Sequence, residues 1–392
     1  MYVTRPVSHY LKYPDSLATP PDGPNTGYLI IQDEESETYS CFGLCKNRSL
    51  RNLPFPQNKE LTARYAQGFG EKKHVSYDPV FLIPVLNQPV SSNRYYAIEP
   101  HGNHKGEAFT CSREEDMSTC CFCRCVKDVK PRQLDPENIY QQIEICPYET
   151  LCTSSGYFFA KSVGLDGFPP DFLRRKGWSI RTRTPEHFKL DEAPGLDSKL
   201  RVRLPEFNFP LSCKSSEAVG VGKWYCPFMF IKEGALKDQV KRSMYYEMTL
   251  EQRWEQIFTR KNENNQGNSV LIDVSLENEE VYVDGKKAAW HKNNFVDGVM
   301  WFKSSHDGKE TSIGLRIEII QRMKWEQNRG GRQDGENWQV KINRVEEFKE
   351  SRVWKEFGCY VLVERFVLKR MDGSLAMTYS FLHTHQLKCK WE

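Results

Sequence analysis

The 392-residue sequence has no run of about 18 consecutive apolar residues, the length that a membrane-crossing helix needs. It has no apolar segment after Met1-Tyr2-Val3-Thr4-Arg5-Pro6, and position 2 is Tyr, so neither a secretory signal nor N-myristoylation is expected. Charge of one sign is also missing, because 55 Lys and Arg against 52 Asp and Glu leave a net +3. That balance argues against a dedicated basic face for nucleic acid, though not against a local basic patch. No G-x-S-x-G nucleophile motif occurs, nor a second, separate C-x₂-C pair. Proline is absent from the last 165 residues, and all 21 lie at or before Pro227.

The remaining composition, 39% hydrophobic and 27% charged, is that of a folded protein of two or three domains. Thirteen cysteines, an odd number without a secretion signal, suit reduced thiols in the cytosol or nucleus. Proline is confined to sheet edges, turns and bulges. The first part therefore reads as short elements joined by rigid turns, and the second as long uninterrupted strands. The stretch Ser212 to Lys223 marks the change, which gives a Pro/Cys-rich α+β part over 1–215 and a Pro-poor antiparallel β domain over 224–392.

In the first part, Gly27 to Gln32, Phe81 to Leu86, Arg94 to Ile98 and Tyr157 to Val163 read as strands. Lys59 to Gln67, Asp135 to Ile143 and Asp171 to Lys176 read as short helices. The Pro-interrupted, charged span from Arg181 to Phe209 reads as an exposed connection. In the second part, Tyr246, Met248, Leu250, Gln252 and Trp254 share one parity, the period of a half-buried strand, against a competing helical reading of Lys237 to Thr259. Leu315 to Trp325 and Phe381 to Trp391 show similar alternation, broken once at Ile320. Each segment ends in Trp-Glu, which raises a degenerate repeat as one reading. Asp284-Gly285 and Asp372-Gly373 supply hairpin turns. With Val270 to Val274 and Val299 to Phe302 the expected class is mainly β, α+β overall, its second half a long-stranded antiparallel sandwich or barrel.

The most unusual local feature is Cys120-Cys121-Phe122-Cys123-Arg124-Cys125. Cys120, Cys121, Cys123 and Cys125, beside Lys127, Lys130 and Arg132, suit S-acylation at an anionic membrane. Zinc binding and an unmodified loop are the other two readings, and immediate neighbours converge poorly on one ion. His383 and His385 fall on one face of a regular strand with Cys389 further along, a weak metal set against two histidines satisfied within the sheet. His101 to Gly106 reads as a polar loop. Gly220-Val221-Gly222-Lys223 lacks phosphate-loop spacing, and Gly330-Gly331 reads as a turn. No catalytic residue and no cofactor is called.

Several stretches together resemble a plant-specific family catalogued as domain of unknown function 1262. They are Met1 to Pro6, Gly23-Pro24-Asn25-Thr26-Gly27-Tyr28-Leu29, Gln32 to Glu35, Cys41-Phe42-Gly43-Leu44-Cys45, Tyr245 to Trp254, Phe357 to Val363 and His383 to His385. The resemblance implies an intracellular plant protein associated with stress or defence responses, and it carries over no catalytic residue. The resulting expectation is a non-enzymatic β-rich binding or scaffold protein of the cytoplasm, with a protein partner or a membrane surface reached through the Cys cluster. The alternatives are an enzyme with a pocket between the halves and a metal-binding regulator.

Overall fold

A computed structural model describes residues 1–40, 45–68, 74–120, 123–149, 155–263, 267–288, 294–306, 309–332 and 339–392. The chain forms two units. The first comprises Met1–Glu192, Pro227–Met229 and Gly234–Tyr245, and the second Ala193–Cys226, Phe230–Glu233 and Tyr246–Glu392.

In the first unit β1 (Tyr2–Pro6) runs parallel to β2 (Gly27–Ile31), with α1 (Val7–Lys12) leaving the end of β1. The main sheet is built from β3 (Glu60–Gln67), β4 (His74–Pro84), β5 (Arg94–Ile98), β8 (Gln142–Pro147), β9 (Phe158–Ser162) and β10 (Ser179–Arg183). Its order is β9-β8-β5-β4-β3-β10, ending in the two-residue strand Ser49–Leu50, and every pairing is antiparallel. Alternate residues of these strands bury Leu61, Ala63, Val80, Leu82, Ile143 and Ile145 against Phe55, Phe158 and Trp178. The four-residue α2 (Asp171–Arg174) covers this core with Leu173, whose carbonyl accepts the Trp178 indole N–H at 2.8 Å. Between β5 and β8 a separate hairpin pairs β6 (Met117–Cys120) with β7 (Cys123–Val126).

The second unit centres on β12 (Tyr245–Lys261), β18 (Glu356–Arg370) and β19 (Leu375–Trp391). The sheet order within this unit is β11 (Val219–Pro227), β12, β18, β19, β14 (Glu279–Val283) and the short Lys286–Lys287. β12 and β18 are antiparallel, as are β18 and β19. β18 is buried along nearly its whole length, as a central strand covered on both faces must be. Two smaller antiparallel pairs accompany it, β13 (Ser269–Glu277) with β17 (Gln339–Glu347) and β15 (Val299–His306) with β16 (Lys309–Arg316). Helices α3 (Ser198–Arg203) and α4 (Ile317–Arg329) also belong to this unit.

The mainly β class is therefore correct, and β12 alternates as expected, with Tyr246, Met248, Leu250, Gln252 and Trp254 all buried. Several local expectations need correction. Residues from Ile317 onward form α4, which buries Glu318, Ile319, Arg322, Met323, Glu326 and Gln327, pairs recurring every four residues. That helical period also accounts for the misfit at Ile320, and it places Trp325 on a helix, so the three Trp-Glu segments are not copies of one unit. Glu60–Gln67 is a strand because Leu61 and Ala63 alternate toward the core. Of the expected helix at 135–143 only Ile139–Gln141 is helical, as a 3₁₀ turn, before β8 begins. The span from Arg181 to Phe209 is not simply exposed, since Phe188, Leu190, Ala193 and Arg201 are buried. The Pro-rich part also holds strands of eight and eleven residues, with Pro79 and Pro84 inside β4. Among the described residues no helix is long and apolar enough to cross a membrane.

Candidate functional site

In the first unit the chain after β1 turns into α1 and places Val7, Tyr10 and Leu11 along one wall of a cleft of about 480 Å³. The lining also takes in the segment from Asn47 to Pro56, which brings Leu50, Leu53 and Pro54 together with Arg51 and Asn52. Ligand sites are typically about 300–1,000 Å³, mostly apolar, with a few polar groups that fix orientation. The lining has that character. Tyr10 is 5% exposed, and its hydroxyl has no hydrogen-bond partner among the described residues. Burial raises its pKa well above the ordinary phenol value, so it stays a neutral donor. Arg51 and Asn52 are exposed, and so are Leu11 and Tyr39. No Asp, Glu, His or Cys lines the cleft among the described residues.

In the second unit a buried polar cluster is assembled by five elements. Glu364 of β18 is 1% exposed. Its Oε1 accepts the Arg201 Nε–H of α3 at 2.7 Å and the Gln252 amide of β12 at 2.8 Å. Its Oε2 accepts the Gln327 amide of α4 at 2.8 Å, and His383 Nε2 of β19 lies 3.3 Å away. Burial alone would raise the Glu364 pKa, but the hydrogen bonds from His383 and Arg201, with the charge of Arg201, hold it down to about 2. Glu326, also fully buried, accepts Arg322 Nη2 at 2.6 Å. Its pKa is raised by burial, against the opposing charges of Arg322, Arg329 and Arg201. Gly330 permits the approach of Arg201, because a Cβ there would lie 2.3 Å from the guanidinium. With Arg201, Gln252 and Gln327 all directed at the Glu364 carboxylate, the cluster ties strands to helices.

The sequence pointed to His383 in this region but not to Arg201, Gln252, Glu326, Gln327 or Glu364. A signal existed for Glu364, a lone acid inside the apolar run Phe357 to Leu368. His383 is 1% exposed and His385 is exposed, their rings 5.5 Å apart. The same-face arrangement with Cys389 does not form. Val361 pairs with Leu387 but Leu362 with His383, so a bulge at 384–386 turns Cys389 to the opposite face from His383. Cys389 packs instead with Phe357, Cys359 and Trp391.

The cysteine run lies on the β6–β7 hairpin rather than in an irregular loop. Cys120 pairs with Cys123 and Ser118 with Cys125, and Cys121 and Phe122 lie outside the described residues. Arg124, Cys125, Lys127 and Lys130 are exposed. At the base, the Ser112 hydroxyl donates to the Lys127 carbonyl at 2.9 Å and accepts the Val129 N–H. The polar loop at His101 to Gly106 is as expected, with His104 Nδ1 2.6 Å from Glu107.

Fold and cleft together define a mainly β protein with a ligand-sized cavity in its N-terminal unit. Residues 22–122 match the family model described as "Protein of unknown function (DUF1262)". The stretches Gly23 to Leu29, Gln32 to Glu35 and Cys41 to Cys45 fall inside that span, and Tyr245 to Trp254 and Phe357 to Val363 fall outside it. No curated protein matches the chain. Among solved structures, one titled "Crystal structure of Cry35Ab1" aligns with a TM-score of 0.47 and 11% identity, over 86% of this chain and 90% of that chain. That likeness is too distant to bear on function.

Proposed function

We propose that the chain is a non-enzymatic binding protein of plant cells, which holds a small amphipathic molecule in the cleft beside α1. The ligand class has an apolar body and an anionic or hydrogen-bond-accepting head. The observation that carries this reading is the 480 Å³ cleft itself, with its largely apolar walls and the exposed Arg51. Among the described residues no Asp, Glu, His or Cys lines it, and we read it as a binding cleft rather than a catalytic one. The metal-regulator alternative would have to use His383 Nδ1, since Nε2 already meets Glu364 and Gln327. Membrane attachment through acylated cysteines of the β6–β7 hairpin is the second part of the reading, supported by the exposed Cys125 among basic side chains.

The test uses anilinonaphthalene sulfonate, an apolar fluorophore with an anionic head. It should bind the folded protein saturably at one site. Leu17→Trp, which fills the cleft, should abolish binding, and Arg51→Ala should weaken it about tenfold, the loss of one charge-assisted hydrogen bond. Binding left unchanged by a folded Leu17→Trp protein overturns the assignment.

A further inference from the structure

We propose that Cys359 and Cys389 are an oxidant-responsive dithiol that closes into a disulfide between β18 and β19. The two residues are directly opposite in the antiparallel register. The backbone bonding places them in the narrow kind of pair. Glu356 N–H donates to the Glu392 carbonyl at 3.0 Å and Glu392 N–H returns to the Glu356 carbonyl at 2.9 Å, so 356 and 392 form a hydrogen-bonded pair. Such pairs alternate along a ladder with non-hydrogen-bonded ones. Counting inward, 357 with 391 is non-bonded, 358 with 390 bonded, and 359 with 389 non-bonded. Cα atoms of a non-bonded pair stand about 4.5 Å apart with side chains on one face. A disulfide spans Cα separations of about 4.4–6.8 Å, so the bridge needs no change of register.

The surroundings supply the chemistry. Cys359 is fully buried among Val270, Ile272, Trp354 and Phe357, whereas Cys389 is half-buried at the rim of the same cluster. Both are free thiols, and they share a hydrogen bond. That bond lowers the pKa of the Cys359 thiol and raises that of Cys389, so Cys359 is the sulfur that more readily carries negative charge. With hydrogen peroxide as oxidant, one thiolate attacks a peroxide oxygen. The S–O bond forms as O–O breaks, and the departing hydroxide takes a proton to become water. The second thiol then attacks the sulfenic sulfur, S–S forms, and the displaced hydroxide takes the thiol proton. Two thiols and one peroxide thus give one disulfide and two waters. The bridge fixes the β18–β19 register beyond the bulge at 384–386.

Peptide mapping of the full chain tests this directly. The protein is oxidised with hydrogen peroxide, alkylated under denaturing conditions and cut with trypsin without reductant. Glu356–Arg365 should appear joined to the dipeptide Cys389–Lys390, two hydrogens lighter than their sum, and reductant should separate them. In glutathione buffers of graded potential the linked peptide should titrate as a single two-electron step. Cys389→Ser should abolish it, and the wild-type map stands whether or not that variant folds. Recovery of Cys359 or Cys389 as alkylated thiol after the exposed Cys125 and Cys213 have oxidised overturns the proposal, as does linkage of either to another cysteine.

Discussion

At Glu364 burial and hydrogen bonding act in opposite directions on one carboxyl group, and the donors win. The folded-state pKa of about 2 lies below the unfolded glutamate value of about 4.3. A depressed carboxylate contributes stability that is present above the unfolded value and is lost as pH falls through the folded one. The window is therefore from about pH 5 down to pH 2, and its size is about 3 kcal/mol. Glu326 has the opposite sign, because its pKa is raised in the fold, and it offsets part of this gain above its unfolded value. Glu364→Gln removes the carboxylate to which Arg201 hydrogen-bonds, so it should cost about 3 kcal/mol at pH 7. It should also flatten the acid limb. Urea denaturation of both proteins at pH 7, 5 and 3 checks this, and an acid loss in the variant equal to that of the wild type speaks against Glu364 as its source.

Among the elements, those whose side chains obey one period were legible and those that serve tertiary demands were not. β12 could be read from Tyr246 to Trp254, where the two-residue alternation runs without a break. α4 was misread because its buried face includes Glu318, Arg322, Glu326 and Gln327, charged and polar residues that a hydrophobic pattern counts as outward. The bulge at 384–386 was invisible because it is fixed by pairing with β18 and not by any turn residue. The candidate cluster around Glu364 was unreadable for a related reason, as its members come from five elements and converge only in three dimensions. α3 has six residues and depends on its cap, with the Asp197 carboxylate accepting the Leu200 N–H at 2.9 Å. Asp197→Ala should cost about 1 kcal/mol. Hydrogen exchange should rise across Ser198–Arg203 while the β12–β18 amides keep their protection, and unchanged exchange in α3 shows that the cap is dispensable.

For the whole molecule, composition fixed the class more firmly than motifs fixed the role. The absence of proline after Pro227 removes the main obstacle to long paired strands, and strands of 15 and 17 residues occupy that region. Nothing in composition announced the cleft, whose walls come from residues 7–56 and need the turn from β1 into α1 to face one another. The near-neutral net charge of +3 gives little general attraction to an anionic membrane, so the attachment proposed above would have to be local. The β6–β7 hairpin offers that locality, with the exposed Cys125 beside the exposed Arg124 and Lys127. A single acyl chain gives only marginal binding, whereas an acyl chain with a basic patch or a second chain gives stable anchoring. Protein expressed in plant cells should therefore partition with membranes. Hydroxylamine, which cleaves thioesters, should release it, and replacing Cys120, Cys121, Cys123 and Cys125 with Ser should leave it in the supernatant. Membrane association that survives both treatments assigns attachment to another surface, and a wild-type chain found wholly in the supernatant removes the hairpin from the functional reading while leaving the cleft untouched.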